Sequence, residues 1–223
     1  MQKNFSIAID GPAGAGKSTV AKVVAKTMNA VYLDTGAMYR TIGLYMQQNN
    51  ISGTDAIARA INTPKIEVRF ENGIQHMILD DVDVTDQIRS PEASMMASKV
   101  SAVPEVRERL VALQREFAQG HDVVMDCRDI GTAVLPNATL KIYLTASCEV
   151  RAQRRHKELI AKGVDEPFDK VLAEIVQRDY NDSHRAASPM RPAEDAVIVD
   201  TSNMTQDEAV ETIVSKAKAV INA

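Results

Sequence analysis

One stretch limits the possible folds of this chain more than any other. Gly11, Pro12, Ala13, Gly14, Ala15, Gly16, Lys17 and Ser18 stand directly after the apolar run 5–9 and directly before an amphipathic segment. This is the phosphate-loop pattern, and it requires a strand to end and a helix to begin on either side. Only then do the loop N–H groups and the positive end of the helix face one point. Glycine lets the backbone curl inward, Lys17 adds a full charge toward the outer phosphates, and the Ser18 hydroxyl suits Mg²⁺. Thr19 completes the set of residues expected to face a nucleoside triphosphate. Each charge-assisted hydrogen bond in such a cradle contributes about 1.5–3 kcal/mol, so a local site suffices to hold a polyanion. It has to be local, because the formal net charge is −4. That balance argues against a general nucleic-acid binder, which needs a basic surface to displace counterions.

Short apolar runs alternate with amphipathic stretches along the rest of the chain, the pattern of βα units wound into a mostly parallel α/β sheet. Strands are expected at 5–9, 31–33, 123–125, 140–144 and 197–199, with helices in most of the gaps. Thr205 and Glu208 have capping-box spacing, and Ala209, Ile213, Ala217 and Val220 follow at helical intervals, so a final helix should pack on the sheet. One region breaks the pattern. Ile66, Val68 and Phe70 alternate, Asn72-Gly73 offers a tight turn before 75–79, a short strand fits 82–84, and a helix begins near Ser90-Pro91. A small antiparallel insert over roughly 62–101 follows, seated against the main domain. The 223 residues suit one α/β domain with this appendage. Cys127 and Cys148 form neither a disulfide framework nor a zinc spacing, and no histidine pairs at a metal-binding spacing. The run 5–9 is too short for a signal-peptide core or a membrane span, so a cytoplasmic location without membrane contact is expected.

A bound triphosphate leaves three classes open: a small-molecule kinase, a GTP-dependent switch and a mechanical or assembly ATPase. No Asn-Lys-x-Asp guanine reader occurs, and the chain spends its length on an insert and an arginine-rich segment, which favours the kinase. A phosphate acceptor is already an anionic nucleophile and needs positive charge rather than a base. Arg40 follows Asp34-Thr35-Gly36 after the second strand, and Arg128 follows the third, both at the strand-end crevice where α/β folds bind ligands. Arg178, Asp182 and Arg185 fall four and seven residues apart, which would put two cations and a carboxylate on one helix face. Cys127 lacks a supporting His or Asp partner and is not expected to act as a nucleophile.

At these residues the chain resembles the bacterial cytidylate kinases. The motifs are the loop 11–18, Asp34-Thr35-Gly36-Ala37-Met38-Tyr39-Arg40, Asp126-Cys127-Arg128-Asp129-Ile130-Gly131-Thr132, and Arg178 through Arg185, spread over nearly the whole chain. The resemblance implies a nucleoside monophosphate kinase fold with a core (1–36, 103–149 and 186–223), an acceptor-binding lobe (about 37–102) carrying the antiparallel insert, and a helical lid (about 150–185). It implies transfer of the γ-phosphoryl of ATP, with Mg²⁺, to CMP or dCMP, and a monomeric protein. By the same similarity Arg40, Arg128 and Arg185 would hold the acceptor phosphate above a floor of Asp34, Thr35, Gly36 and Tyr39. Arg178 and Asp182 would reach the ribose, and Ser98, Arg107 and Asp129 would read the base. Lys17, Arg128 and Arg185 would carry the transfer itself. Arg151, Arg154 and Arg155 would begin the lid helix, with Arg154 and Arg155 reaching ATP and Lys162-Gly163 serving as a hinge. Asp126 has two readings, as an orienter of Mg²⁺ through water or as a partner of Arg128. Cys127 departs from the family by standing where a glycine is common, and Asn181 and Ser183 stand where some relatives are basic.

Overall fold

The computed structural model describes residues 4–222; residues 1–3 and 223, assigned above to the core, lie outside the described residues. Five strands form a parallel sheet: β1 (Ser6–Asp10), β2 (Val31–Asp34), β6 (Val123–Asp126), β7 (Leu140–Thr145) and β8 (Val197–Asp200), in the order β2-β6-β1-β7-β8. All five were expected, each within about one residue. Side chains of a strand alternate between the two faces, and the burial follows that period. Ile7 and Ile9 of β1, Val124 and Ile142 pack with Val20, Ala21 and Val24 of α1 (Lys17–Thr27) and with Ala209, Ile213 and Ala217 of α8 (Gln206–Ile221). Ala8, Leu33, Val123 and Met125 face the other way, against α2 (Thr35–Gln48) and α5 (Pro104–Gln119).

The capping box of α8 is present in both directions: Thr205 Oγ1 accepts from Glu208 N at 3.2 Å, and the Glu208 carboxylate accepts from Thr205 N at 2.7 Å. Val220, placed above on the packed face, is instead 45% exposed, because Ile221, four residues after Ala217, takes the position against the core.

The insert comprises α3 (Thr54–Ala60), β3 (Ile66–Glu71), β4 (Ile74–Leu79), β5 (Val82–Asp83), a 3₁₀ turn at Gln87–Arg89 and α4 (Pro91–Val100). Strands β3 and β4 pair antiparallel from Ile66 with Leu79 to Glu71 with Ile74. Asn72 and Gly73 both take positive φ (52° and 77°), the backbone that lets a two-residue turn match the twist of its strands. Ile66, Val68 and Phe70 pack onto the same core as α2 and α5, and Phe70 stacks on Phe117 with ring centroids 5.3 Å apart. The insert is thus seated on the main domain, and one side chain fixes where. Gln75 Oε1 accepts from Asp34 N at 2.7 Å, and Gln75 Nε2 donates to Asp34 O at 3.2 Å.

Helices α6 (Cys148–Ala161) and α7 (Phe168–His184) share a small apolar cluster of their own, built on Ala152, Leu159, Val171 and Ile175. The turn after α6 closes with Gly163 N donating to Ile160 O and Val164 N to Leu159 O, both at 2.9 Å, and Gly163 in the left-handed region (φ 76°). That is the Schellman pattern, and it ends the helix where Lys162-Gly163 suggested.

Gln75→Ala removes both bonds between the hairpin and the end of β2. The expected cost is about 1–2 kcal/mol, measured by urea unfolding; an unchanged midpoint would mean that apolar packing and the Arg109 bonds to Ile61 O and Pro64 O hold the insert without Gln75.

Candidate active site

Strand β1 leads straight into the glycine loop, and the geometry explains why glycine opens it. Gly11 has φ +145°, and a Cβ there would stand 1.9 Å from the carbonyl oxygen of Leu144 on β7. Helix α1 then begins at Lys17 with no acidic residue in its first turn and no side-chain cap, leaving its positive end available to an anion. Nothing lies within 4 Å of where a Cβ of Gly16 would stand, and Ser18 and Thr19 are exposed at the loop's mouth.

Lys17 is buried and donates to Pro12 O at 2.7 Å. Burial, and next the charge of Arg128, lower its ammonium to about 7. A cation held this unfavourably gains from a phosphate brought beside it.

Across the loop, Asp126 at the end of β6 accepts from Ser18 Oγ at 2.8 Å and from Tyr32 OH at 2.7 Å. Its backbone oxygen accepts from Thr35 Oγ1 at 2.7 Å. Burial, and then the nearby Asp34, raise the Asp126 carboxyl above its ordinary value. The Asp126 carboxylate thus faces Ser18, and Arg128 pairs with Asp182. A hydroxyl and a carboxylate side by side are hard oxygen donors that fit Mg²⁺. Among the described residues no group of three His, Cys, Asp or Glu side chains could hold a metal, so phosphate oxygens and water would supply the remaining ligands.

The arginines converge on the same place. Asp34 caps α2 by accepting from Ala37 N at 2.9 Å, and its other oxygen takes Arg40 Nη2 at 2.8 Å. Arg128 Nε donates to Asp182 Oδ2 at 2.8 Å. Burial pushes the Asp182 carboxyl up, but Arg128 and Arg178 outweigh it and hold the group below its usual value. Arg178 is lowered to about 10, by burial first and then by the charges of Arg128 and, more weakly, Arg40 and Arg155. Arg128 and Arg178 also lie close enough to Lys17 to depress it.

Beside this cluster Asp129, 1% exposed, is shared between Arg107, whose Nη2 contacts Oδ2, and Arg185, whose Nη2 lies 3.3 Å from Oδ1. The Tyr39 ring sits 5.8 Å from the Arg107 guanidinium. Ser98 lines an adjoining cavity of about 220 Å³ with Ser101, Asn181, Asp182 and Arg185. Arg40 Nε, Arg178 Nε and Arg185 Nη2 are buried without a hydrogen-bond acceptor. Each such N–H costs about 1–3 kcal/mol, which an anionic oxygen placed among them offsets.

Arg185 follows the last turn of α7, which ends at His184; its φ of −64° is still helical and its ψ of 145° turns only the chain after it, so its side chain lines the cavity with Asp182 and comes within 3.3 Å of Asp129 Oδ1. The arginines that open α6 are not poised over solvent. Arg151 is 4% exposed, donates to Ala13 O at 3.0 Å and pairs with Asp179 at 2.6 Å. Arg154 donates to Thr201 O at 2.8 Å and to Ala15 O at 3.4 Å. Arg155 pairs with Glu158 at 3.3 Å and is 33% exposed. Tyr32, Arg151 and Asp10 were not foreseen as site residues. Asp10 alone carried a local signal, as a carboxylate immediately before Gly11.

A glycine loop after the first strand of a parallel sheet, facing a hydroxyl–carboxylate pair and a buried arginine cluster, defines a phosphate-loop kinase. A gluconokinase from Sinorhizobium meliloti 1021 shares the fold, with a TM-score of 0.50 at 15% identity over 100% of this chain and 96% of that one. The sequence model of the family described as cytidylate kinase matches residues 7–219. The cytidylate kinase of Caldicellulosiruptor bescii is 49% identical over 213 residues, 95% of this chain and 94% of the relative. That of Streptococcus sanguinis is 49% identical over 223 residues, 99% of each. The chain belongs to the cytidylate kinase family and is a phosphotransferase.

Lys17→Met should abolish phosphoryl transfer while raising the melting temperature measured without nucleotide, by about 2–4 °C for each kcal/mol of relieved charge burial. A lower melting temperature would show that the ammonium holds the loop together rather than waiting for phosphate.

Proposed function

We propose that this protein transfers the γ-phosphoryl group of ATP to CMP or dCMP, giving ADP and CDP or dCDP. Family membership supports the reaction. The observation that carries it to these residues is the convergence of buried, acceptor-less guanidinium donors of Arg40, Arg178 and Arg185 beside Lys17 and Arg128. Two anions repel, and an in-line transfer between them depends on positioning and charge neutralisation rather than on a nucleophilic side chain. In this reading loop 11–16, Lys17, Ser18 and Thr19 hold the triphosphate. Arg40, Arg128 and Arg185 grip the acceptor phosphate above Asp34, Thr35, Gly36 and Tyr39. Mg²⁺, when bound, would neutralise the phosphate oxygens beside Ser18 and Asp126. Cys127 has no part in covalent chemistry; burial raises its thiol above its ordinary value, away from the thiolate.

Cytosine presents an amino donor next to ring acceptors, which complements the Asp129 carboxylate and the Arg107 guanidinium. Uracil places a carbonyl against the carboxylate and leaves buried polar groups unpaired, the strongest basis for rejecting a near-isostere. Asp182, on the wall of the cavity that Ser98 also lines, and Arg178, one turn before it on α7, suit the ribose. The division into core, acceptor lobe and lid follows the same reading, and the separate apolar cluster of α6 and α7 supports a lid body. Because Arg151 and Arg154 bond to the loop and to Thr201, the hinge motion is confined to the region beyond Arg155. The protein acts as a monomer in the cytoplasm in this reading. No described helix is long and apolar enough to cross a membrane.

With ATP and Mg²⁺ in an ADP-release assay, CMP and dCMP should be turned over far faster than UMP, AMP or GMP; equal rates would overturn the base readers. Arg185→Ala should cut turnover by about 10³ or more, the scale of transition-state arginines. Near-normal turnover would remove Arg185 from the acceptor site.

A further inference from the structure

Asp10, the last residue of β1, is a buried carboxylate that the proposed chemistry leaves without a task. It is 4% exposed, and it faces away from solvent into the turn that follows Arg128. Its Oδ1 accepts from Ile130 N at 2.6 Å and its Oδ2 from Gly131 N at 2.7 Å, across 120 residues of chain. Those are the first two N–H groups after Asp129, and they begin a single π-helical turn, Ile130–Val134. At its other end Arg115 donates to Val134 O at 2.9 Å and to Ala133 O at 2.6 Å. An anion on the N–H end and a cation on the carbonyl end complement the turn's own polarity and fix it in place. The approach is close: a Cβ on Gly131 would lie 3.3 Å from Asp10 Oδ2 and 3.2 Å from Lys141 Cδ, so a larger residue would require one of these side chains to shift by a few tenths of an ångström.

We propose that Asp10 is a positioning residue for base selection: by holding the two N–H groups after Asp129, it aims the Asp129 carboxylate from the end of the strand that carries the phosphate loop. It acts through Asp129 and touches neither nucleotide. Because Gly11 follows Asp10 directly, the donor loop and the base reader share one rigid anchor, and their separation is fixed by a single side chain. Short-range order of this kind matters because a misplacement of about 1 Å at a reacting or recognising group costs on the order of 10²-fold.

The inference rests on the reading of Asp129 as a base contact, and the experiment separates the two. Steady-state kcat and KM are measured for CMP, UMP and ATP on the full chain and on Asp129→Asn, Asp10→Asn and Gly131→Ala. Asp10→Asn turns one acceptor into an NH₂ donor facing a backbone N–H. The ratio of kcat/KM for CMP over UMP should fall by about tenfold or more, the scale of one lost base contact. That loss should appear mainly in the KM for CMP, with the KM for ATP within about twofold of the unsubstituted protein, since the anchor of the phosphate loop is backbone. Gly131→Ala keeps every charge and crowds the same contact, so it should shift the ratio in the same direction, and it decides the matter if Asp10→Asn fails to fold. A ratio unchanged by Asp129→Asn would overturn the base reading and this proposal with it. A ratio lowered by Asp129→Asn but kept by both Asp10→Asn and Gly131→Ala would overturn the positioning role alone.

Discussion

Mutual repulsion among buried cations is the constraint around which this molecule is arranged. Lys17, Arg128 and Arg178 lie near enough to depress one another's proton affinity or be depressed in turn, in a chain whose net charge is negative. Such a cluster is unfavourable in low dielectric unless each member has a counter-charge. Asp34 supplies one to Arg40, Asp182 to Arg128, and Asp129 to both Arg107 and Arg185. The carboxylates leave several N–H groups without acceptors, so the neutralisation is incomplete in a directed way. In the proposed reading two phosphate groups complete it, and the interaction that holds them is the same one that relieves the protein.

The fold meets this constraint by fastening distant segments to each other at a few polar joints. Gln75 fastens the insert to Asp34, Arg151 fastens α6 to the loop carbonyl of Ala13 and to Asp179 of α7, and Asp10 fastens the turn after Arg128 to β1. Each joint lies one or two residues from a side chain of the proposed site. The apolar faces of the sheet supply stability on a larger scale, but they do not by themselves aim a guanidinium. The start of α6 is tied to the core, whereas the Schellman turn at Gly163 and the separate α6–α7 cluster give the far part of that body its own integrity.

Much of this was legible from the chain because the signals are local. The strands announced themselves by apolar runs, the hairpin by Asn72-Gly73 between alternating residues, and the last helix by Thr205 and Glu208. The phosphate loop was readable in context because a strand and a helix are periodic patterns that flank it. The arginines were found as residues needed by an anionic acceptor, though their partners were not. Asp126 had been given two roles, and the approach of Ser18 and Tyr32 to its carboxylate was not foreseen. Arg185 fitted a helical spacing that stops one residue short of it. Arg151 was read as opening the lid helix, since nothing in its neighbours reveals the carbonyl of Ala13 across 138 residues of sequence. Long-range polar joints leave no periodicity, which is why the partners of Asp10 and Gln75 could not be read from the sequence.

The most direct test of the account is the affinity of a single molecule in which cytidine and adenosine are joined through five phosphates, measured by titration calorimetry at fixed ionic strength. A cradle and an arginine cluster that face one another should take both ends at once, so the linked compound should bind at least about 10²-fold more tightly than ATP or CMP alone. Binding no tighter than that of ATP would contradict the convergence, because one end would then be left in solvent.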